Sequence, residues 1–314
     1  MDERTLNRVL AAAGVDPATV TGWAELTGGT FNAAYRIGTT GGGYVLKVAP
    51  PPDSPGLTYE RDLMRTETAF YRAVRGHAPV PEVVHADFSR GLVASDLLLM
   101  TEIPGHTLAA SPPPARRKSL LRADLGRVVA GLHEVTGTGF GYPQLGLAPT
   151  WREAFAGMVD AVLADAARYG VVLPEPAARI ADLVRSHGNL LDEVTRPVLV
   201  HFDLWDGNVL AHDGRVTGLV DGERAFWGDP LAELVSLALF GDIEQDHDFL
   251  AGYGAAPFTR SARLRLALYR AYLYLIMLVE GVPRRHSGPR HEEQRRRVRD
   301  HLGAALGVLR PGAH

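Results

Sequence analysis

The sequence predicts an α+β protein with a β-rich amino-terminal lobe, residues 1–103, and a larger, mostly helical carboxy-terminal lobe, residues 104–314. Short runs of β-branched and aromatic residues separated by glycine turns dominate the first lobe, which predicts a small antiparallel sheet with one key helix. From Arg116 onward, long stretches have helical periodicity. Between the two regions, Pro104-Gly105 ends the last strand and predicts a hinge.

Length and composition set the broad class of protein. At 314 residues the chain is long enough for about two domains of roughly 150 residues each, and 46% hydrophobic residues are ample for a buried core. A net charge of −3 gives no electrostatic reason to expect a nucleic-acid or membrane partner. Because the sequence has no cysteine, disulfides, cysteine-bound zinc and thiol catalysis are excluded.

The amino terminus and the apolar runs indicate whether the protein is secreted or inserted in a membrane. The first residues are charged and contain no apolar signal segment. The longest apolar run, residues 271–279, is far shorter than the roughly 20 residues of a membrane helix. We therefore expect a soluble, cytoplasmic protein that is a monomer or a homodimer.

The chain begins with a predicted amphipathic helix at residues 2–13, and residues 23–37 then predict two strands joined by a tight turn. The turn is Gly28-Gly29, followed by Thr30 and Asn32. Backbone amides freed by such a turn, together with these polar side chains, suit the binding of a phosphate chain. Most Gly-Gly hairpins bind nothing, so the turn alone is a weak indication.

A lysine and a glutamate are expected to form a pair in this lobe. Lys47 lies in the predicted strand 44–48, and Glu67 lies within the apolar stripe of a predicted helix at residues 59–75. A carboxylate that faces a core is costly unless it is paired, and Lys47 is the expected partner. Glu60 is the competing candidate, although its place at the helix start is explained by the helix dipole.

The remaining elements follow in order. Residues 83–86 and 97–103 predict two more strands, and the second stops at the hinge with free backbone groups at Glu102 and Ile103. Helices are predicted at residues 121–134, 151–169, 177–191, 231–240 and 291–309.

Residues 198–230 carry the most informative pattern. A predicted strand leads to His201, and Asp203 and Asn208 follow it five residues apart. A second strand ends directly on Asp221, after a turn at residues 212–215. One aspartate at a strand end is usually a cap or turn residue, but this spacing is that of the kinase catalytic loop. In phosphoryl transfer one carboxylate accepts the proton of the acceptor hydroxyl, while an asparagine and a second carboxylate hold magnesium.

With the glycine turn, the lysine–glutamate pair and the motif Gly228-Asp229-Pro230, this block resembles the aminoglycoside phosphotransferase and choline kinase superfamily over about residues 25–240. The resemblance implies a two-lobed protein-kinase-like fold, ATP or GTP as phosphate donor, Mg²⁺, and a small-molecule hydroxyl as acceptor. It implies that Asp203 is the catalytic base, with His201 also placed at the catalytic centre. It assigns the metal to Asn208 and Asp221, and the positioning of the phosphates to Lys47 and Glu67. From the turn and the strand end themselves, we expect the phosphates to contact Gly28, Gly29, Thr30 and Asn32, and the adenine edge to meet Glu102 and Ile103.

Departures from the protein-kinase motifs restrict the class of acceptor to small molecules. Phe202 replaces the arginine of protein kinases, and only eight positions separate Asp221 from Asp229, which is too few for a peptide-binding segment. Residues 204–207, Leu-Trp-Asp-Gly, resemble the loop of fructosamine-kinase-like members. The favoured acceptor is an antibiotic, an aminoglycoside or a basic peptide. The alternatives are a kinase of a sugar, fructosamine or other metabolite, a non-catalytic nucleotide-binding regulator, and a metal-dependent hydrolase.

An acidic segment supports a cationic acceptor. Asp242, Glu244, Asp246 and Asp248 occur within seven residues without a basic residue between them. A polycationic antibiotic would be attracted to such a group of charges. The opposing interpretation is a solvated loop that caps the next helix.

Overall fold

The computed structural model describes residues 1–26, 31–255 and 257–310 and has the expected α+β architecture. The first lobe contains an antiparallel five-stranded sheet in the order β1-β2-β3-β5-β4. Its strands are β1 (Val20–Glu25), β2 (Ala33–Thr39), β3 (Gly42–Val48), β4 (Val83–Asp87) and β5 (Leu97–Thr101). Lys47 lies opposite Ala34 of β2 and Leu98 of β5, in the middle of the sheet.

Two helices cover the two faces of this sheet. Since side chains alternate between faces along a strand, Leu97 and Leu99 pack in one core cluster and Leu98 and Met100 in the other. Helix α1 (Glu3–Ala12) belongs to the first cluster, and helix α2 (Leu63–Val74) belongs to the second, which continues into the helical lobe.

The second lobe is mostly helical. Its helices are α3 (Ala115–Leu132), α4 (Trp151–Arg168), α5 (Ala177–Ser186), α6 (Gly188–Leu191), α7 (Glu233–Leu237), α8 (His247–Tyr253), α9 (Arg260–Glu280) and α10 (Pro289–Val308). Helix α9 is buried along most of its length and forms the centre of the lobe. The strands are β6 (His106–Thr107), β7 (Val198–Val200), β8 (Val209–His212), β9 (Arg215–Leu219) and β10 (Phe226–Gly228). The division predicted at residue 103 falls between β5 and β6.

Three predicted helices are divided or shortened in the structure. The helix expected at residues 177–191 is divided at His187 into α5 and α6. The helix expected at residues 59–75 is divided, because Asp62 has a left-handed backbone (φ 55°) that separates a 3₁₀ turn at Thr58–Glu60 from α2. The helix expected at residues 231–240 is only a 3₁₀ turn and the five-residue α7, and left-handed Phe240 (φ 61°) follows it. Helical periodicity is insensitive to such single-residue breaks.

Residues 56–60, named the strap below, tie the first lobe to the helices of the second. The backbone N–H and Oγ1 of Thr58 donate to Asp165 of α4, at 2.6 and 2.8 Å. The Gly56 carbonyl accepts from Arg168 and Tyr169, both at 2.7 Å. Glu60 pairs with Arg284, just after α9, at 2.5 Å. The strap therefore fixes the entry to α2 against the helical lobe.

Within the described residues, no helix combines the length and apolarity needed to cross a membrane.

Candidate active site

The loop between β7 and β8 holds Asp203 and Asn208 together. The Asn208 amide donates to the Asp203 carbonyl oxygen at 2.8 Å and to its carboxylate at 3.3 Å. The next backbone N–H, that of Leu204, donates to the hydroxyl of Ser236 in α7 at 3.1 Å. These bonds fix the direction of the Asp203 side chain relative to Asn208.

A buried glutamate anchors the start of this loop. The carboxylate of Glu233, at the start of α7, accepts the backbone N–H groups of His201 and Phe202 at 2.7 and 3.0 Å. Glu233 is fully buried, so the loop backbone supplies the hydrogen bonds that its charge needs. The sequence showed only an acid shortly after Gly228-Asp229-Pro230, without the contact.

His201 lies at the centre of the site but has no free ring nitrogen. Its Nδ1 accepts the Asp203 backbone N–H at 3.2 Å, and its Nε2–H donates to the Val220 carbonyl at 2.9 Å. Its ring meets Phe70 of α2 edge to face. The ring is bonded on both sides and joins the Asp203 loop to the strand before Asp221, so the described contacts leave no ring nitrogen free for the catalytic role expected of His201.

Lys47 meets two carboxylates. Its Nζ lies 2.9 and 2.7 Å from the two oxygens of Glu67 and 2.5 Å from Oδ1 of Asp221. The pair expected between Lys47 and Glu67 is therefore present. Glu60, the competing candidate, instead accepts the Leu57 N–H and pairs with Arg284.

The surroundings of Asp203 control its charge. Burial raises the pKa of this carboxyl group from its usual value to about 6, and Arg224, with its Nε at 3.7 Å, opposes the rise. Arg224 is itself held by Glu280 of α9 at 2.8 Å. Asp203 therefore stays ionised at neutral pH and available as a proton acceptor.

Oxygen ligands for a divalent cation surround Asp221. Oxygens of Glu67, Asp221 and Glu223 lie within 4.8 Å of one another, and Mg²⁺ prefers such carboxylate and amide oxygens. Burial, reinforced by Asp221, raises the pKa of Glu223 to about 8, which a bound cation would reverse. The donor set fits the metal. Glu223 was not anticipated, although an acid two residues after Asp221 was visible in the sequence.

Most of the remaining residues expected to bind the nucleotide lie in the described part of the chain. Gly28, Gly29 and Thr30 lie outside the described residues. Asn32 donates to Glu223 at 2.6 Å, so it contacts the cluster around Asp221. The Glu102 N–H is not free as expected, because it donates to the Gly43 carbonyl at 2.9 Å. Residues alternate in direction along an extended strand, so Ile103 faces away from β3 and its N–H is not used by a described residue.

The acidic segment differs most from expectation. Its charges are largely neutralised by arginines from distant helices: Asp242 pairs with Arg270, Glu244 with Arg263, and Asp246 with Arg122. Asp246 also caps α8 through the Phe249 N–H. Only Asp248 is exposed without an ion pair to a described residue. The segment is thus not the dense negative surface that its sequence suggested.

An aromatic and an acidic side chain are exposed on the Asp203 loop itself. Trp205, two residues after Asp203, exposes 45% of its surface. The Asp206 side chain exposes 62%, and its carboxylate lies 3.8 Å from Nη1 of Arg122, which pairs more closely with Asp246. Trp205 lies against Gly207, where any Cβ would overlap its ring. The glycine therefore allows the ring to lie flat along the loop.

Comparison with known proteins agrees with this geometry. The model of the phosphotransferase enzyme family matches residues 22–269. A hygromycin-B 4-O-kinase of Escherichia coli is 26% identical over 275 residues, 80% of this chain and 74% of that protein. A probable ketoamine kinase of Lactiplantibacillus plantarum is 27% identical over 269 residues, 81% of this chain and 86% of that protein.

Solved structures show the same fold. The aminoglycoside phosphotransferase APH(4)-Ia, in complex with ADP and hygromycin B, superposes with a TM-score of 0.65 at 21% identity, covering 96% of this chain and 97% of that one. A fructosamine-3-kinase candidate from Thermobifida fusca superposes with a TM-score of 0.72 at 23% identity, covering 98% and 99%. These likenesses confirm the two-lobed protein-kinase-like fold.

Proposed function

Because this chain belongs to the phosphotransferase enzyme family and is a small-molecule kinase, we propose that it transfers the γ-phosphate of ATP or GTP to a hydroxyl group of an amino sugar. An aminoglycoside antibiotic is the first candidate acceptor. The observation that carries the proposal is that His201 connects two groups of side chains. It joins the loop that holds the Asp203–Asn208 pair to the residue before Asp221, which contacts Lys47.

Asp203 orients the acceptor hydroxyl and takes its proton as the phosphoryl group is transferred. Lys47, held by Glu67, binds the phosphate chain of the nucleotide. Asn208, Asp221 and Glu223 would hold Mg²⁺, which supplies positive charge against the phosphates when bound. The Ile103 N–H is available to the base of the nucleotide. Val220 and Asp203 are held by His201, which we assign as a positioning residue.

The acceptor class follows from the exposed part of the Asp203 loop. The ring of Trp205 offers an apolar face to the C–H groups of a sugar ring, and Asp206 offers a carboxylate to an amine. A large basic peptide has less support, because arginines neutralise most of the acidic segment. A ketoamine is the second candidate, favoured by the same aromatic and acidic pair and by the Lactiplantibacillus relative.

A nucleotide-consumption screen tests the proposal. Aminoglycosides including hygromycin B, fructosamines and neutral sugars are each supplied with Mg²⁺-ATP or Mg²⁺-GTP, and phosphorylated product and free phosphate are measured separately. We expect product with an amino sugar and none with Asp203→Asn. Free phosphate without phosphorylated acceptor would indicate the hydrolase alternative, and nucleotide binding without either product would indicate a regulator.

A pair of tryptophan variants tests the acceptor surface. Trp205→Ala should raise the acceptor KM by roughly tenfold, as expected for the loss of an aromatic contact of about 1 kcal/mol or more, and should leave the nucleotide KM unchanged. Trp23→Ala is the matched control, because Trp23 is similarly exposed but lies in β1. Equal effects of the two variants would contradict the assignment of Trp205.

A further inference from the structure

Tyr71 lies on the same face of α2 as Glu67, one helical turn later, and its side chain is buried. Its hydroxyl donates to Oε1 of Glu67 at 2.6 Å and accepts the backbone N–H of Asp221 at 2.9 Å. The phenol therefore uses its donor and its acceptor on two groups that are 154 residues apart in the chain.

These two bonds close a ring. From Tyr71 the path runs to Glu67, from Glu67 to the Nζ of Lys47, from Lys47 to the Asp221 carboxylate, and through the Asp221 backbone back to the phenol. Burial keeps the pKa of the Tyr71 hydroxyl well above its usual value, so the hydroxyl stays protonated and can donate to Glu67.

The backbone of Asp221 has an uncommon conformation that needs to be held by hydrogen bonds. Asp221 has a left-handed conformation (φ 67°, ψ 42°), which is uncommon for a residue other than glycine. The residue before it is held by His201 through the Val220 carbonyl, and its own N–H is held only by Tyr71 among the described residues. The phenol therefore fixes the peptide from which the Asp221 carboxylate projects.

We propose that Tyr71 is a positioning residue for the phosphate and metal site, holding Glu67 for Lys47 and the Asp221 peptide for the metal through one hydroxyl group. The inference rests on the proposed metal role of Asp221. It assigns to the reaction a residue that no motif in the sequence indicates.

Tyr71→Phe tests the proposal, because it removes the hydroxyl and keeps the ring. Loss of a hydrogen bond to a charged group corresponds to a change of roughly tenfold or more in an equilibrium constant. We expect ATP binding in the presence of Mg²⁺ to weaken by that factor, and ATP binding without Mg²⁺ to change less. The probe is ATP with and without Mg²⁺, measured by calorimetry, so no acceptor is required.

Tyr272→Phe is the matched control. Its side chain is equally buried, and among the described residues its hydroxyl bonds only to the Tyr142 hydroxyl, at 3.3 Å. Its loss should therefore lower the melting temperature without changing the Mg²⁺ dependence of ATP binding. If Tyr71→Phe binds Mg²⁺-ATP like the wild type, or if both variants weaken it equally, the positioning role of Tyr71 is wrong.

Two further variants separate this inference from the proposed function. Asp221→Asn should abolish the Mg²⁺ dependence of ATP binding, and an unchanged dependence in that variant would reject the metal role itself. In a Glu67→Gln background, Tyr71→Phe should have a smaller effect than in the wild type, because the two groups act through each other. Fully additive losses would overturn the link between Tyr71 and Glu67.

Discussion

The charge of Asp203 is set by two opposing neighbours, its buried surroundings and the guanidinium of Arg224. With a pKa raised to about 6, the carboxyl group is ionised above that pH and protonated below it. Since a general base acts only when ionised, we expect kcat/KM to fall about tenfold per unit as the pH drops below this value. A pH–rate profile measures this acid limb.

Arg224→Met provides the complementary measurement. Without the opposing positive charge, the pKa of Asp203 should rise further, and the acid limb should move to higher pH. Arg263→Met is the control, because Arg263 is half-exposed and pairs with Glu244 in the acidic segment. An acid limb that stays in place in the Arg224 variant would mean that another group controls it.

For single residues, the sequence was informative where a charged side chain lay within an otherwise apolar stripe. Glu67 was placed correctly because a carboxylate within an apolar stripe needs a partner. His201, in contrast, was assigned to catalysis because sequence spacing says nothing about which ring nitrogen is free. Tyr71 and Glu223 were missed because their partners are brought to them only by the fold.

The acidic segment, residues 242–248, shows what the sequence of one segment cannot predict, namely its ion pairs with other helices. Its four acids form a continuous charged run in the sequence, but the arginines that neutralise three of them come from α3 and α9, and Arg122 is more than a hundred residues away. Local composition therefore cannot give the charge of a surface. The shortened helix at residues 233–237 shows a second limit, since apolar periodicity does not reveal that the backbone leaves the helical conformation at Ala238 (φ −113°).

Within the segment, two neighbouring acids should behave differently on substitution. Asp246→Ala removes the cap of α8 and the partner of the largely buried Arg122, and should lower the free energy of unfolding by about 1–3 kcal/mol. Asp248→Ala, two residues later and exposed, should change it by less than about 0.5 kcal/mol. Urea denaturation of both variants gives the comparison, and equal values would show that the pairs of Asp246 do not stabilise the fold.

For the whole molecule, the strap makes the stability of the first lobe depend on the second. Asp165→Ala leaves the Thr58 N–H and hydroxyl without their buried acceptor, which should cost about 2 kcal/mol of unfolding free energy. Asp160→Ala, on the same helix α4, removes only an exposed pair with Arg185 and should cost less than about 1 kcal/mol. Chemical denaturation compares the two, and an unaffected Asp165 variant would mean that the strap carries no stability.

The two-lobed fold was predictable from the sequence because periodicity and turn residues report each element independently. The contacts between the lobes were not, since the strap begins with Gly56, directly after Pro55, and its residues indicate an ordinary connection. The strap is bound by Asp165, within α4, and by Arg284, just after α9. The apolar faces of these two helices dominated the sequence pattern.

The packing of α2 holds Glu67 beside Lys47. Phe70 is buried against His201 and the backbone at Gly222, where a Cβ would overlap its ring. Displacing α2 to separate Glu67 from Lys47 would expose this ring, at a cost of about 1.5–3 kcal/mol for the side chain alone, and would also break the bonds of the strap. We therefore expect the paired arrangement of Lys47 and Glu67 to be the resting one.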